Sequence, residues 1–526
     1  MSGGFPPRRD QLCQAVGRHW QTSRVPTLYR NCRVADRADT AFAVDAGRIV
    51  WLGSAAQADE YASATVVDLD GAFVTPAFVD AHVHATATGL ALTGLDLRGA
   101  RSLAEALAAV EAAARAAGGR PLLGGGWDET DWPERRAPTA AELDRASYGG
   151  AVYLARIDVH SALASSALLA AVPRVRELAG FDAGGRLRGP AHDAVRSAAF
   201  AAVTARQRRE AQRAALHHAA ELGIACVHEM AGPVISSADD LSELLALSRA
   251  EPMPEVIGYW AELLGIETAR ELGAIGAAGD LFCDGALGSH TAALAEPYTD
   301  RPDTCGQLRF GTAEVAEHIA RCAEAGLQAG FHAIGDAAVD QVLDAVEIAT
   351  ERLGRPVGVG HRIEHAEFVR DPHRLARSGL LASMQPCFDA LWGGADGMYA
   401  QRLGVERARA LNRFAELAAA GVPLAFGSDA PVTELGPWAA VRAAAHPSDP
   451  TAAVDARAAF AAHTLGGWRA ARRDGAGVLA PGAPATFAVW RAATDDLFDL
   501  APERELPTCL ATVRDGQPIF DSGVLS

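Results

Sequence analysis

Two histidines, His82 and His84, sit two residues apart near the end of the segment Thr75-Pro-Ala-Phe-Val-Asp-Ala-His-Val-His-Ala85. The apolar run Ala77-Phe78-Val79 reads as a buried strand, and side chains alternate faces along a strand, so both imidazoles point the same way. Two neutral imidazoles converging on one point begin a divalent-metal site. Three later residues complete the pattern: His332, His365 and Asp429 each follow an apolar run and precede a turn or helix. A carboxylate among imidazoles can both ligate a metal and accept a proton. Simpler roles exist for each. The histidines could bond loop carbonyls, His332 could bond Asp336, and Asp429 could cap the segment after Ser428. Together the five are expected as ligands, with His365 alternatively facing the substrate carbonyl.

Such residues need strands to aim them. Eight strand-like runs alternate with helical ones: Ala77–Val83, Gly223–Glu229, Glu255–Trp260, Gly279–Cys283, Gly326–His332, Val357–His365, Leu380–Gln385 and Val422–Ser428. Helical segments such as Asp336–Leu353 and Arg407–Ala420 lie between several of them. The alternation predicts an α/β fold, a (β/α)8 TIM-like barrel, with its site at the carboxyl ends of the strands. Residues 1–72 and 466–526 read as short strands and turns, each too small for its own core, and are expected to pair into one small β-sandwich. The barrel then occupies residues 73–465. Residues 95–215 are far too long for one β/α connection and hold strand Gly150–Arg156 and helices Ser102–Ala117 and Ser197–Leu222, so they are expected to form an inserted cap.

Composition narrows the partners. The chain has 526 residues and a net charge of −17, which argues against nucleic acid or an anionic membrane surface. A small-molecule substrate fits, and a homodimer is left open. None of the 48 basic residues is lysine. The eight cysteines are scattered without a Cys-x-x-Cys pair, which points to reduced thiols rather than disulfides or a thiolate zinc site. With no stretch of membrane-span or signal-peptide character, a cytoplasmic enzyme is expected.

Across nearly its whole length the chain resembles the amidohydrolase superfamily, and within it the branch that includes N-substituted formamide deformylases. The resemblance rests on Asp68-Leu-Asp-Gly-Ala-Phe-Val-Thr-Pro-Ala-Phe-Val-Asp-Ala-His-Val-His84, Gly124-Gly-Gly-Trp-Asp-Glu-Thr-Asp-Trp132 and Tyr153-Leu-Ala-Arg-Ile-Asp-Val-His160. It continues through Asp284-Gly-Ala-Leu-Gly-Ser-His-Thr-Ala292, Phe331-His-Ala-Ile-Gly-Asp336, His361-Arg-Ile-Glu-His365, Phe426-Gly-Ser-Asp429 and Val478-Leu-Ala-Pro-Gly-Ala-Pro484. The family usually has Gly at Ala77 and Arg at His290. It often carries a carboxylated lysine on the fourth strand, bridging two metals, where this chain has Asp280. An aspartate is shorter, and its oxygens are expected to fall roughly 4–5 Å short of a bridging point.

The resemblance implies a metal-dependent hydrolase of an amide or other C–N bond, with an activated water as nucleophile. Asp429 takes the water proton and delivers it to the leaving nitrogen, and His365 or His290 bonds the oxyanion. Zinc is favoured over iron or manganese, and one ion over two, held by His82, His84 and Asp429 with His332 completing the set. Asp280 is reserved for a second ion or a bridge. Cys283 reads as a buried thiol before a ligand. Trp127, Asp128 and His160 of the insertion are expected at the substrate, with Trp132 alongside them or in the insertion's core. Phe388 and Trp392 are expected as walls of an apolar leaving-group pocket, and Glu229 as a group orienting a ligand histidine. The alternatives are a ring-nitrogen deaminase on the same barrel, which usually has a Glu shortly after the fifth-strand histidine, and a metal-free binding homologue.

Overall fold

The barrel strands are mostly runs of β-branched, aromatic and small apolar residues bounded by glycines and turns. In the computed structural model, which describes residues 25–61, 63–130, 132–156, 161–358 and 360–526, they are β1 (Phe78–Val83), β2 (Ile224–Ala231), β3 (Glu255–Trp260), β4 (Gly276–Ala277), β5 (Gln328–Ala333), β6 (Arg362–His365), β7 (Leu381–Met384) and β8 (Leu424–Phe426). Each pairs in parallel with the next in one eight-stranded sheet. The sheet closes where the Asp429 amide donates to the His82 carbonyl at 2.8 Å and Val83 bridges Ala430. This is the (β/α)8 barrel that the alternation implies. Strand β1 is buried along its whole length, as expected for a parallel strand covered on both faces.

The intervening helices bury one stripe each. Helix Asp336–Leu353 buries Val339, Val342, Leu343 and Val346 and stops at Gly354, whose φ of 62° is left-handed. The single expected helix over residues 197–222 is two, Gly189–Ala201 and Ala205–Glu221, because Thr204 and Gln207 form a reciprocal capping box that starts a new helix. The expected helix over residues 407–420 is likewise interrupted, and only Val405–Ala408 and Phe414–Ala419 are helical.

The fourth strand corrects the sequence reading. Residues 279–283 are not its body; β4 ends at Ala277, and Gly279 turns the chain with φ +100°. The chain then rejoins the sheet edge at Phe282, which bridges His332, while the Cys283 amide donates to the His332 carbonyl at 3.0 Å.

Both chain ends contribute to one sandwich. Strand Phe73–Pro76 pairs antiparallel with Phe487–Arg491, which pairs with Thr508–Arg514. A second sheet holds Thr27–Arg30, Ala41–Asp45, Arg48–Gly53 and Thr65–Asp68. Tyr29, Phe42, Ile49, Phe487, Val489 and Val513 fill the core between the two sheets. Trp490 anchors the sandwich to the barrel: its indole donates to Thr75 Oγ1 at 2.8 Å, and its ring meets Phe78 and Trp438 edge-on. Its edge lies so close to Gly223 that a Cβ there would approach to 2.2 Å, at a backbone φ of +82°. Only glycine meets both demands.

The insertion has its own five-stranded sheet, from Leu95–Asp96 to Arg186–Arg188, and its own apolar cores. It ends with helix Gly189–Ala201, earlier than residue 215. Helix Ala205–Glu221 instead packs on β2 and the carboxyl-terminal strands, where Thr512 donates to the Ala220 carbonyl. Arg98 of the insertion approaches Glu434, in the loop beyond β8, at 3.8 Å. No helix among the described residues is long and apolar enough to cross a membrane.

Candidate metal centre

Five side chains meet at the carboxyl ends of the strands. His82 and His84 come from β1 and the residue after it, His365 from the end of β6, Asp429 from just beyond β8, and Asp280 from the turn after β4. Asp429 Oδ1 lies 3.1 Å from His84 Nε2 and 3.6 Å from His82 Nε2. Asp280 Oδ2 lies 3.2 Å from His84 Nε2, and its Oδ1 lies 3.4 Å from His82 Nε2 and 3.6 Å from His365 Nε2. Among the described residues, these form two overlapping groups with metal-binding geometry: His82, His84 and Asp429; and His82, Asp280 and His365.

The far side of each imidazole is fixed by an acceptor. His82 Nδ1 donates to Glu364 Oε2 at 2.9 Å, His84 Nδ1 to the Met230 carbonyl at 3.1 Å, and His365 Nδ1 to Gln385 Oε1 at 2.7 Å. With the proton on Nδ1, every Nε2 turns its lone pair toward the carboxylates. Glu364 is in turn gripped by Arg362 through two bonds of 2.7 and 2.9 Å. Arg362 is wholly buried inside the barrel, where it also donates to the Ala81 carbonyl, Ser383 Oγ and His228 Nδ1 and lies over the Tyr259 ring.

The arrangement demands positive charge at its centre. His82 Nε2, Asp280 Oδ1 and Asp429 Oδ1 are buried without a hydrogen-bond partner. Lone pairs facing carboxylates repel unless a cation or protons stand between them. Burial opposes a charged His82, yet the Asp280 and Asp429 carboxylates raise its pKa to about 10. His84 and His365 rise against burial for the same reason. Burial would raise Glu364, but the Arg362 charge and the His82 bond hold it at about 2. The donor set of imidazole nitrogens and carboxylate oxygens fits a divalent metal. Solvent reaches the cluster at His84 and Asp429, whose side chains are 13% and 9% exposed, against 0% for His82. His365, Ala366 and Asp429 all carry positive φ, 68°, 46° and 55°. Such conformations cost non-glycine residues on the order of 1–2 kcal/mol each and tend to gather where function fixes geometry.

Asp280 was expected to fall short of a bridging point; from the turn after β4, where Gly279 has φ +100°, its carboxylate lies 3.2–3.6 Å from the Nε2 atoms of His84, His82 and His365. His332 was expected to complete the ligand set. It is in neither group: its Nδ1 lies 3.2 Å from Asp284 Oδ1, buried and without a hydrogen-bond partner, with its ring 4.5 Å from that of His365. Asp284 itself accepts from the amides of Ala293, Ile334 and Gly335. His290 is not in either group; its Nε2 is held by Asp300 at 3.0 Å. Cys283 is a buried thiol outside both groups, and burial raises its pKa. Glu229 accepts from the Ala85 amide at 2.7 Å, which braces the backbone after His84 rather than an imidazole.

Phe388 stacks on His365 with ring centres 5.9 Å apart, and Trp392 packs on Phe388 at 4.8 Å, so an aromatic wall leads away from the cluster. Trp127 does not line it. Its side chain has no exposed surface, its indole donates to the Leu154 carbonyl, and it packs in the insertion's core with Trp132. Asp128 is half-buried and committed to Thr130 and Arg156. His160 lies outside the described residues. The residues missed by sequence reasoning are Glu364, Arg362 and Gln385. The first two stood inside the quoted His361-Arg-Ile-Glu-His365 motif, where a buried strand carrying two opposite charges is itself a signal.

A profile of the amidohydrolase family matches residues 65–520. The protein LONG AFTER FAR-RED 3 of Arabidopsis thaliana is 30% identical over 495 residues, covering 85% of this chain and 83% of the plant protein. A crystal structure of an uncharacterised metal-dependent hydrolase from Pyrococcus furiosus superposes with a TM-score of 0.75 at 29% identity, covering 88% of this chain and 98% of that one. Another such hydrolase, from Pyrococcus horikoshii, gives 0.76 at 27% identity, covering 91% of this chain and 100% of that one.

Proposed function

The chain belongs to the amidohydrolase family, and from that premise we propose that it is a metal-dependent hydrolase of an amide or other non-peptide C–N bond in a small molecule. N-substituted amides and formamides are the first substrates to try. The observation that carries the reading is the set of three imidazoles, each locked through Nδ1, turned on two buried carboxylates at 3.1–3.6 Å. His82, His84 and Asp429 would hold one divalent cation. Zinc suits the nitrogen and carboxylate donors best, and iron or manganese accept the same set. Bound there, the cation supplies acidity to a water and charge to a carbonyl.

The rest of the chemistry falls to the chain. Asp429 stands at the solvent-facing edge of the cluster, where it can take a proton from the attacking water and return it to the leaving nitrogen. His365 has its Nδ1 proton committed to Gln385, so its free Nε2 offers a lone pair and not a bond to an oxyanion. Phe388 and Trp392 form a wall suited to an apolar substituent on the leaving nitrogen. Metal quantification of the purified protein, combined with a turnover screen over N-substituted amides and formamides, tests this directly. Turnover in protein verified to hold no metal would overturn it.

A further inference from the structure

We propose that the substrate's leaving nitrogen carries an extended, uncharged alkyl chain, laid along Phe388 and Trp392 and running out over an open rim at Leu391 and Val432. This deepens the hydrolase reading above and rests on it.

One short helix carries the wall. Residues Pro386–Trp392 follow β7 directly, and their exposure rises away from the cluster. Phe388, stacked on His365 at 5.9 Å, is 4% exposed; Trp392, packed on Phe388 at 4.8 Å, is half-buried; Leu391 is 61% exposed. Residues three and four apart share a helix face, so 388, 391 and 392 form one apolar strip. Strand β8 lies next to β7 in the sheet. The turn beyond β8 is closed by the Val432 amide donating to the Asp429 carbonyl at 2.8 Å, and it leaves Val432 51% exposed. An isolated exposed leucine or valine needs no explanation. These two each stand one turn beyond a residue at the cluster, Phe388 or Asp429, so apolar surface leads from the reacting centre to solvent.

The wall is fixed and uncharged. Asp389 is the one charged residue of the helix. It is turned to Ser448, accepting from the amide at 2.6 Å and from Oγ at 2.8 Å. At the helix end, a Cβ on Gly393 would come within 2.5 Å of Ser448 Oγ, which pins the chain there. Trp392 is backed by Met398 and Tyr399 in an apolar cluster. A charged substituent finds no partner on this strip, whereas a methylene chain sheds water against it. One aromatic ring spans a single step of the path; an extended chain uses all of it. Because Leu391 and Val432 stand open to solvent, the far end of the chain is not enclosed.

The test is calorimetric binding of N-alkylmethanesulfonamides, from methyl to dodecyl, to the full-length protein as purified. These carry the chain on a head group that is not cleaved. Kd should fall by about 2- to 4-fold per methylene, the larger figure being that of full burial, and level off once the chain passes the rim. Trp392→Ala should flatten the dependence, and Leu391→Asp should bring the plateau forward to shorter chains. Leu391 is a surface position, so its variant keeps the test open if Trp392→Ala does not fold. A Kd independent of chain length, or one that worsens sharply beyond a short chain as in a closed pocket, would overturn the proposal. So would a Leu391→Asp variant that splits a dimer and leaves the series unaltered, which would assign the rim to a second copy of the chain. Turnover of N-alkylformamides of any length would leave the hydrolase reading intact in each of those cases. The expected binding series without turnover of any amide would overturn that reading and keep the chain-binding strip.

Discussion

Glu364 Oε2 lies 2.9 Å from Nδ1 of His82, and neither side chain has any exposure to solvent. A carboxylate behind a ligand imidazole fixes its tautomer and raises its basicity, so Glu364 acts on the cluster through His82. Arg362 makes this bearable in the barrel interior by pairing with the same carboxylate through two bonds.

Glu364→Gln should therefore keep the fold and lower metal affinity by about 10–100-fold, because a neutral amide polarises the imidazole less than a carboxylate does. Competition with a chromophoric chelator reads this out. Unchanged affinity would remove Glu364 from any role at the cluster.

Arg362→Leu is expected to be far more damaging to stability than to any single contact. It would leave Glu364 without its cationic partner inside the barrel, with only the His82 bond remaining, a defect of about 3–5 kcal/mol. Chemical denaturation should show the loss, and the double variant Arg362→Leu, Glu364→Leu should recover part of it.

Asp429→Asn, assayed at saturating metal, should lower kcat by roughly 100-fold or more, because the amide cannot accept the water proton. A variant with full metal content and wild-type kcat would put the base elsewhere.

Two histidines far from the reaction should make folding sensitive to acid. His318 accepts from the Leu264 amide and faces the Ala277 carbonyl, and His361 accepts from the Ala329 amide and faces the Val357 carbonyl. Both are therefore buried as neutral imidazoles, and burial lowers each pKa to about 4. The unfolded chain takes up protons near the ordinary histidine value of about 6.5, so between these limits it binds more protons than the native state. Their stabilisation is complete above the upper limit and is lost as pH falls through the window toward 4. Buried Glu229 and Glu367, raised by burial to about 7, trend the opposite way. The comparison with His318→Gln cancels them. That variant should cost more stability at pH 7.5 than at pH 5, as urea midpoints would show; an equal cost at both would count against the argument.

Trp127→Ala should cost about 3–5 kcal/mol through loss of a packed core side chain, with KM unchanged in the surviving folded fraction. Trp392→Ala should do the reverse and raise KM for bulky N-substituents by about 10-fold, on the scale of 1–3 kcal/mol for a lost apolar contact. Steady-state kinetics over substituents of graded size separate the two.

What could be read along the chain was whatever depends on near neighbours. The period-two geometry of a strand puts His82 and His84 on one side, and alternating strand and helix patterns imply a closed barrel whose strand ends gather His365 and Asp429. Strand ends at glycines and turns are local events, and most elements lie within a few residues of their expected limits. What only the tertiary structure decided depends on contacts between residues distant in sequence. The reach of Asp280 follows from one left-handed glycine and from where β4 stops. The partners Glu364, Gln385 and the Met230 carbonyl are selected by barrel assembly, which brings side chains 20 to 282 residues apart in sequence to within hydrogen-bonding distance. Trp127 has the composition of a pocket residue, but the insertion had enough apolar surface of its own to bury it. Composition says which side chains can do chemistry; packing decides which of them have a face left with which to do it.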